Sequence, residues 1–179
     1  MPGSSTVGQP EAFELIAKGC EDITTILDVG PGSGQWFDFL HRWYPFAVFD
    51  AVEIFEPYVE RYQLRRRYST VFVGDVRRWQ RHLTYDLVIF GDVLEHMTKP
   101  EAIEVVNRLL HRYAIISVPL GVCPQEPTEE NPHEEHVSTW MDKDEVLRAF
   151  PQIKGWSVTD DPRTGDGIGR GMFLLERTS

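Results

Sequence analysis

The chain has 179 residues, 41% apolar and 26% charged, the size and make-up of one globular domain; wholesale disorder, a collagen-like fibre and a disulfide scaffold are excluded. With 18 Lys and Arg against 28 Asp and Glu the net charge is -10, which disfavours a surface for a bulk polyanion, since each phosphate contact needs a local cation. No run reaches the roughly 18 apolar residues of a membrane helix, and Cys20 and Cys123 lack metal or disulfide-framework spacing, reading as the reduced thiols of a cytoplasmic protein.

Residues 1–10 are small and polar, with no basic start or apolar stretch; they predict a loose tail rather than a signal peptide, ahead of one domain over 11–179. A lead-in helix is expected over 11–19, with Phe13, Leu15 and Ile16 inward. The β-branched run 25–30 predicts a strand that stops at glycines. Trp36, Phe37, Leu40, Trp43 and Tyr44 form a helical stripe over 35–44. A strand over 47–54 follows, then a helix over 57–68 carrying Val59, Tyr62 and Leu64, and a third strand over 70–74. After an arginine-rich turn or short helix (76–82), the nearly all-apolar run 85–91 predicts a fourth strand.

Thr98-Lys99-Pro100-Glu101 is a capping box with an early proline, opening a helix that buries Ile103, Val106, Leu109 and Leu110. A fifth strand over 113–118 closes at Pro119. Residues 121–139 break the rhythm: three prolines, five glutamates and two histidines without periodicity predict a lid or substrate loop. A helix over 142–150 is capped by Thr139 or Asp142. Strands over 155–159 and 171–176, joined by a turn-rich loop (Asp161-Pro162, Gly165-Asp166-Gly167), are too close for a parallel crossover and must pair antiparallel. Continuous apolar strands alternating with helices predict an α/β fold: a Rossmann-like, doubly wound, seven-stranded mixed sheet. It is mostly parallel, with one antiparallel strand in a C-terminal hairpin and helices on both faces.

Four motifs fall at one edge of that sheet. Asp28-Val29-Gly30-Pro31-Gly32-Ser33-Gly34 ends a strand, turns on glycines and opens a helix, so a ligand can approach bare backbone. The dinucleotide fingerprint would place glycine at 35, where this chain has Gln35. The acid two residues before the first glycine suits a ligand with a cationic end better than a pyrophosphate. Glu53 ends the second strand, where a carboxylate can accept from both hydroxyls of a ribose. Asp75 and Val76 follow the third strand, suited to an adenine amino group and ring, or, for Asp75, to a helix cap. The run from Tyr85 to His96 delivers Phe90, Gly91, Asp92 and Val93 to the same crevice.

The order of elements and these four motifs resemble the class I S-adenosylmethionine-dependent methyltransferases. The resemblance spans residues 25–176 and is most specific over 26–96. It implies S-adenosylmethionine as cofactor, with S-adenosylhomocysteine as product. Asp28, Gly30, Pro31, Gly32, Ser33 and Gly34 would wrap its methionine part, Glu53 would hold the ribose, and Ile54 would lie against the adenine. Asp75 and Val76 would take the adenine edge, and Phe90, Gly91, Asp92 and Val93 would line the methionine side. Val93-Leu94-Glu95-His96-Met97, and Asn131-Pro132-His133-Glu134-Glu135-His136 followed by Trp140, are similar to the small-molecule enzymes of this class. The class's [DN]-P-P-[YF] signature for amino methylation of bases or glutamine is replaced by Gly91-Asp92-Val93-Leu94, and the Pro-Cys nucleophile of cytosine enzymes is missing.

A small-molecule acceptor methylated at O or N is therefore expected, with no membrane partner and with nucleic acid disfavoured. A base is needed only if the acceptor must lose a proton. His136 ranks first, then His133 and His96, with Trp140 placed to wall the pocket; the same histidines would equally serve to hold the loop. His133 and His136 lack H-E-x-x-H spacing, so no metal is expected. Two other readings remain: an RNA or protein acceptor met through the arginines of 61–81 (Arg61, Arg65, Arg66, Arg67, Arg77, Arg78, Arg81), or a non-catalytic cofactor-binding subunit.

Overall fold

The computed structural model describes residues 6–80, 82–162 and 169–177. Its strands are β1 (Thr25–Val29), β2 (Val48–Glu53), β3 (Thr70–Val73), β4 (Thr84–Gly91), β5 (Leu110–Pro119), β6 (Ile153–Thr159) and β7 (Arg170–Glu176). They form one sheet in the order β3-β2-β1-β4-β5-β7-β6. Strands β1 to β5 are mutually parallel, and β7 runs antiparallel between β5 and β6, as the short connection required. The described α-helices are α1 (Gln9–Gly19), α2 (Gln35–Leu40), α3 (Glu56–Arg61), α4 (Lys99–Arg108) and α5 (Lys143–Ala149).

Alternation along the strands builds two cores, one per face. Ile26, Leu87, Ile89 and Ile115 point to one layer and pack under Ala12 and Ile16 of α1, Trp36 and Leu40 of α2, and Val59 of α3. Leu27, Val29, Val88, Phe90 and Ile116 point to the other, under Val105 and Val106 of α4, and Val146 and Phe150 of the α5 segment. A sheet buried on both faces is why these strands read as unbroken apolar runs.

Several boundaries differ from the sequence reading. Helix α1 starts at Gln9, so Gln9 and Pro10 leave the expected tail; Pro10 fits the first turn, where its missing N–H has no helical partner to lose. Residues 1–5 of that tail lie outside the described residues, as do Arg81 and the Gly165-Asp166-Gly167 turn. Helix α2 ends at Leu40, and the aromatic stripe continues through a turn in which Trp43 stacks on Phe13 at 4.4 Å. The helix expected over 57–68 breaks at Gln63, whose φ is 52°. Val59 and Leu64, five positions apart, cannot share one helical face, and the break brings both into the same core. Leu110 opens β5 rather than ending α4. The capping box forms, Glu101 accepting from the Thr98 N–H at 2.9 Å, and Asp142 caps α5, accepting from Glu145 N–H at 2.8 Å.

Gly91 belongs to this packing. A Cβ there would sit 1.9 Å from the indole nitrogen of buried Trp36, so the end of β4 and α2 meet only because this residue has no side chain. Gly91→Ala is expected to cost about 1–3 kcal/mol through overpacking, read as a lower midpoint in thermal unfolding. An unchanged midpoint would contradict the tight β4–α2 contact.

Candidate active site

Strand order reverses at β1. The chain leaving β1 passes to α2 on one face, and the chain leaving β4 passes to α4 on the other, so a crevice opens between them. A cavity of about 670 Å³ occupies it, within the roughly 300–1,000 Å³ usual for small-ligand pockets. Its walls come from Gly30 and Gly32 after β1, Glu53 and Ile54 at the end of β2, and Gly74, Asp75 and Val76 after β3. Asp92, Val93, Glu95 and His96 after β4, and residues of the 121–139 segment, complete it. Four strand ends and the 121–139 segment thus converge on one cavity.

The glycine turn is shaped by backbone. Gly30 has φ +64°, and a Cβ there would also stand 2.8 Å from Val93 Cγ2, so the loops after β1 and β4 approach to the limit of packing. The Gly30 N–H donates to Val52 O at 2.9 Å, fixing the turn to β2. Pro31, Ser33 and Gly34 lie behind the turn, off the cavity. There the Arg67 guanidinium donates to Ser33 O and fills the space beside Gly34. Phe90 and Gly91 are likewise core rather than lining.

The three acids differ in environment. Glu53 is 4% exposed; its Oε1 accepts from Phe55 N–H at 2.8 Å and its Oε2 from Gly32 N–H at 3.3 Å. Burial pushes its carboxyl up from the ordinary range, and these two hydrogen bonds oppose that. A carboxylate offers about four lone-pair sites, so Glu53 keeps acceptor capacity facing the cavity. Asp75 caps the one-turn 3-10 helix Val76–Arg78, accepting from Arg77 N–H at 2.9 Å and from the Arg77 guanidinium. Burial pushes its carboxyl up, but the Arg77 interactions outweigh this and hold it low. Asp28 does not line the cavity. It is 1% exposed, its Oδ2 accepts from the Tyr68 hydroxyl at 2.6 Å, and Oδ1 has no hydrogen-bond partner among the described residues. Burial pushes its carboxyl up to about 7, the Tyr68 hydrogen bond working the other way.

Sequence reasoning missed a buried ion network. Arg170, 3% exposed at the start of β7, ion-pairs with Asp92 and with Asp161 (3.0 Å), and donates to Ser117 Oγ at 3.1 Å. Asp92 holds a left-handed backbone, φ 58°, at the exit of β4. All three charged residues line the cavity. Burial lowers the Arg170 guanidinium to about 10. An arginine opening an otherwise apolar strand was the available signal; its partners depend on a pairing that sequence spacing alone does not reveal.

The 121–139 segment closes at its base, where Leu120 bridges Trp140 and Gly121 N–H donates to Trp140 O at 2.8 Å. One flank is pinned to α3: Tyr58 Oη donates to Glu134 Oε1 at 3.0 Å, and Arg61 ion-pairs with Glu130 at 2.9 Å. The other is pinned to the turn after β4, where the N–H groups of Val137 and Ser138 donate to Glu95 O at 2.8 and 3.0 Å. His96 and His136 meet edge to face, 4.9 Å between centroids. Their Nδ1 atoms bond the carbonyls of Glu135 (2.8 Å) and Cys123 respectively. Burial lowers the His96 pKa. His133 lines the cavity from an exposed turn. Trp140 is a correction: it is 1% exposed in the core against Phe150 and does not line this cavity. Among the arginines of 61–81, Arg61, Arg65, Arg66 and Arg78 are exposed; Arg61 and Arg77 pair with acids, Arg65 and Arg67 donate to backbone carbonyls, and Arg66 donates to Gln63.

This sheet, with its reversed antiparallel strand β7 and ligand crevice beyond β1, β2 and β4, is the class I S-adenosylmethionine-dependent methyltransferase architecture. A family model for the methyltransferase domain matches residues 10–159, and the chain belongs to that family. Solved structures agree in fold. The S-adenosylhomocysteine-bound N-terminal domain of EvdMO1 superposes with TM-score 0.69 at 15% identity, over 98% of this chain and 83% of that one. A Burkholderia thailandensis 1,6-didemethyltoxoflavin-N1-methyltransferase, with 1,6-didemethyltoxoflavin and S-adenosylhomocysteine bound, gives 0.65 at 19% identity over 97% and 79%. A S-adenosylmethionine-dependent methyltransferase of Clostridium acetobutylicum ATCC 824 gives 0.68 at 11% identity over 96% and 91%. No curated protein matches the chain by sequence.

Asp28 gives the site a pH signature. Its folded-state pKa of about 7 lies above the unfolded 3.8, so this group opposes folding increasingly as pH rises between those values and by a constant amount above them. Asp28→Asn is expected to raise the thermal midpoint at about pH 8, with the gain fading as pH falls toward about 4. A gain independent of pH, or a loss at the alkaline end, would contradict the buried ionisable acid.

Proposed function

We propose that this protein is an enzyme that transfers the methyl group of S-adenosylmethionine to an O or N atom of a small molecule, releasing S-adenosylhomocysteine. The observation that carries this is the convergence of the glycine turn, Glu53, Ile54, Asp75 and Val76 on one roofed cavity. Glu53 takes the ribose hydroxyls, Ile54 and Val76 sandwich the adenine, and Asp75, already paired to Arg77, accepts from the adenine amino group. The Gly30–Gly32 backbone and Asp92–Val93 flank the methionine part. Two of the structural relatives are named for complexes with S-adenosylhomocysteine, and one acts on a small toxoflavin precursor, which supports both cofactor and acceptor class.

Methyl transfer from a sulfonium is an in-line displacement: the acceptor lone pair attacks the methyl carbon and the S–CH3 electron pair stays on sulfur. The protein's share is alignment and exclusion of water. The pinned 121–139 roof supplies the exclusion. The buried Arg170 network fixes the exit of β4, so that Asp92 and Val93 hold one geometry. Where each Nδ1 donates to a carbonyl, the Nε2 of His96 and His136 carries a lone pair; both imidazoles line the cavity, with exposed His133 at its rim.

A small acceptor is favoured over RNA or protein because the cavity is roofed and Glu134 and Glu135 line it, which disfavours a polyanion. No described helix is long and apolar enough to cross a membrane, and both cysteines are free thiols, which supports a cytoplasmic setting.

Glu53→Ala removes two charged-acceptor hydrogen bonds of roughly 1.5–3 kcal/mol each, so calorimetry should show S-adenosylhomocysteine affinity falling by about 100-fold or more. Unchanged affinity in the folded variant would overturn the ribose assignment.

A further inference from the structure

We propose that Glu95, His96 and His136 form a binding site for a divalent transition-metal ion of the Zn²⁺ type, open toward the acceptor end of the cavity. One donor atom from each of the three side chains lies within 4.8 Å of the others. In a tetrahedral shell with metal–ligand distances near 2.1 Å, donors stand about 3.4 Å apart. Binding would draw the donor atoms together by up to about 1.4 Å.

The surroundings are those a metal needs. Both imidazoles spend Nδ1 on a backbone carbonyl, His96 on Glu135 O and His136 on Cys123 O. A ligating histidine almost always donates its second nitrogen in this way, which fixes the ring and the tautomer and leaves the Nε2 lone pair for the ion. The rings stand edge to face at 73°, so they do not stack against each other. The framework is also set: the Glu95 carbonyl accepts from the N–H groups of Val137 and Ser138, tying the residue that supplies the carboxylate to the strand of roof that supplies His136.

Two imidazoles and one carboxylate suit borderline ions such as Zn²⁺ or Co²⁺ rather than Mg²⁺ or Ca²⁺, which prefer all-oxygen shells. Three protein ligands leave a position open. That position faces the cavity, where an oxygen or nitrogen of the acceptor would complete the shell and be held for attack. The use of the open position rests on the acceptor end proposed above; the metal site itself does not. Sequence spacing hid the cluster because His96 and His136 are forty positions apart and Glu95 reads as part of a turn. His133, two residues before the Glu135 carbonyl, is not part of it.

The test is titration of the untagged, chelator-treated full chain with Co²⁺, followed by the visible absorption bands of a low-symmetry Co²⁺ site and by Zn²⁺ competition. One saturable set of bands is expected, displaced by Zn²⁺, lost in both His96→Ala and His136→Ala, and retained in His133→Ala. Each variant is checked for S-adenosylhomocysteine binding. Absence of saturable bands in a wild-type chain that binds S-adenosylhomocysteine would overturn the metal site and leave the methyltransferase reading standing. Bands that persist unchanged in both histidine variants would overturn it too. Co²⁺ bands in a chain that fails to bind S-adenosylhomocysteine would support the metal and strike the cofactor assignment instead.

Discussion

The reversal of strand order at β1 is the constraint from which the site follows. Strands added outward on either side of β1 send their connections to opposite faces, and two loops leaving in opposite directions cannot fill the space between them. At its base Gly30 stands so close to Val93 that a Cβ would lie 2.8 Å from Val93 Cγ2, so the loops after β1 and β4 approach closely only because residue 30 has no side chain. The gap gathers the residues proposed to meet the adenosine part: Glu53 reaches back into it from β2, and Asp75 and Val76 border it from β3.

Charge inside the crevice is handled in two ways. Near the cofactor end, acids are buried and satisfied locally: Glu53 by two backbone N–H groups, Asp75 by Arg77, Asp28 in part by Tyr68. Near the acceptor end, buried Arg170 pairs with both Asp92 and Asp161, and the roof brings His136 to Glu95 and His96. The cationic end of S-adenosylmethionine and a cation at the acceptor end both suit a cavity whose walls carry an excess of carboxylates.

Much of this was legible in the sequence, and the reasons are specific. Apolar strand runs and glycine stops announced a doubly wound sheet, because burial on both faces leaves no room for polar alternation. The short link between β6 and β7 forced their antiparallel pairing. Residues named by strand ends, such as Glu53, Asp75 and Val93, arrived at the cavity because a strand delivers its last residues to a defined edge. The placements that were not legible share a cause. Pro31, Ser33, Gly34, Phe90 and Gly91 sit beside lining residues in sequence but face the core or the back of the turn, a matter of one φ angle or one step of alternation. Trp140 went to the core because the base of the roof closes there. Arg170, Asp161 and Glu95 act through partners tens of residues away or across a strand pairing, which no local pattern encodes.

The claim on which the rest hangs is that a methyl group moves from S-adenosylmethionine to a small molecule. It is tested most directly by incubating the protein with methyl-labelled S-adenosylmethionine and a cell extract, then separating small-molecule, nucleic-acid and protein fractions. Label is expected to accumulate with time in the small-molecule fraction, with S-adenosylhomocysteine formed in equal amount. Label entering nucleic acid or protein instead, or no S-adenosylhomocysteine formed with any fraction, would contradict it.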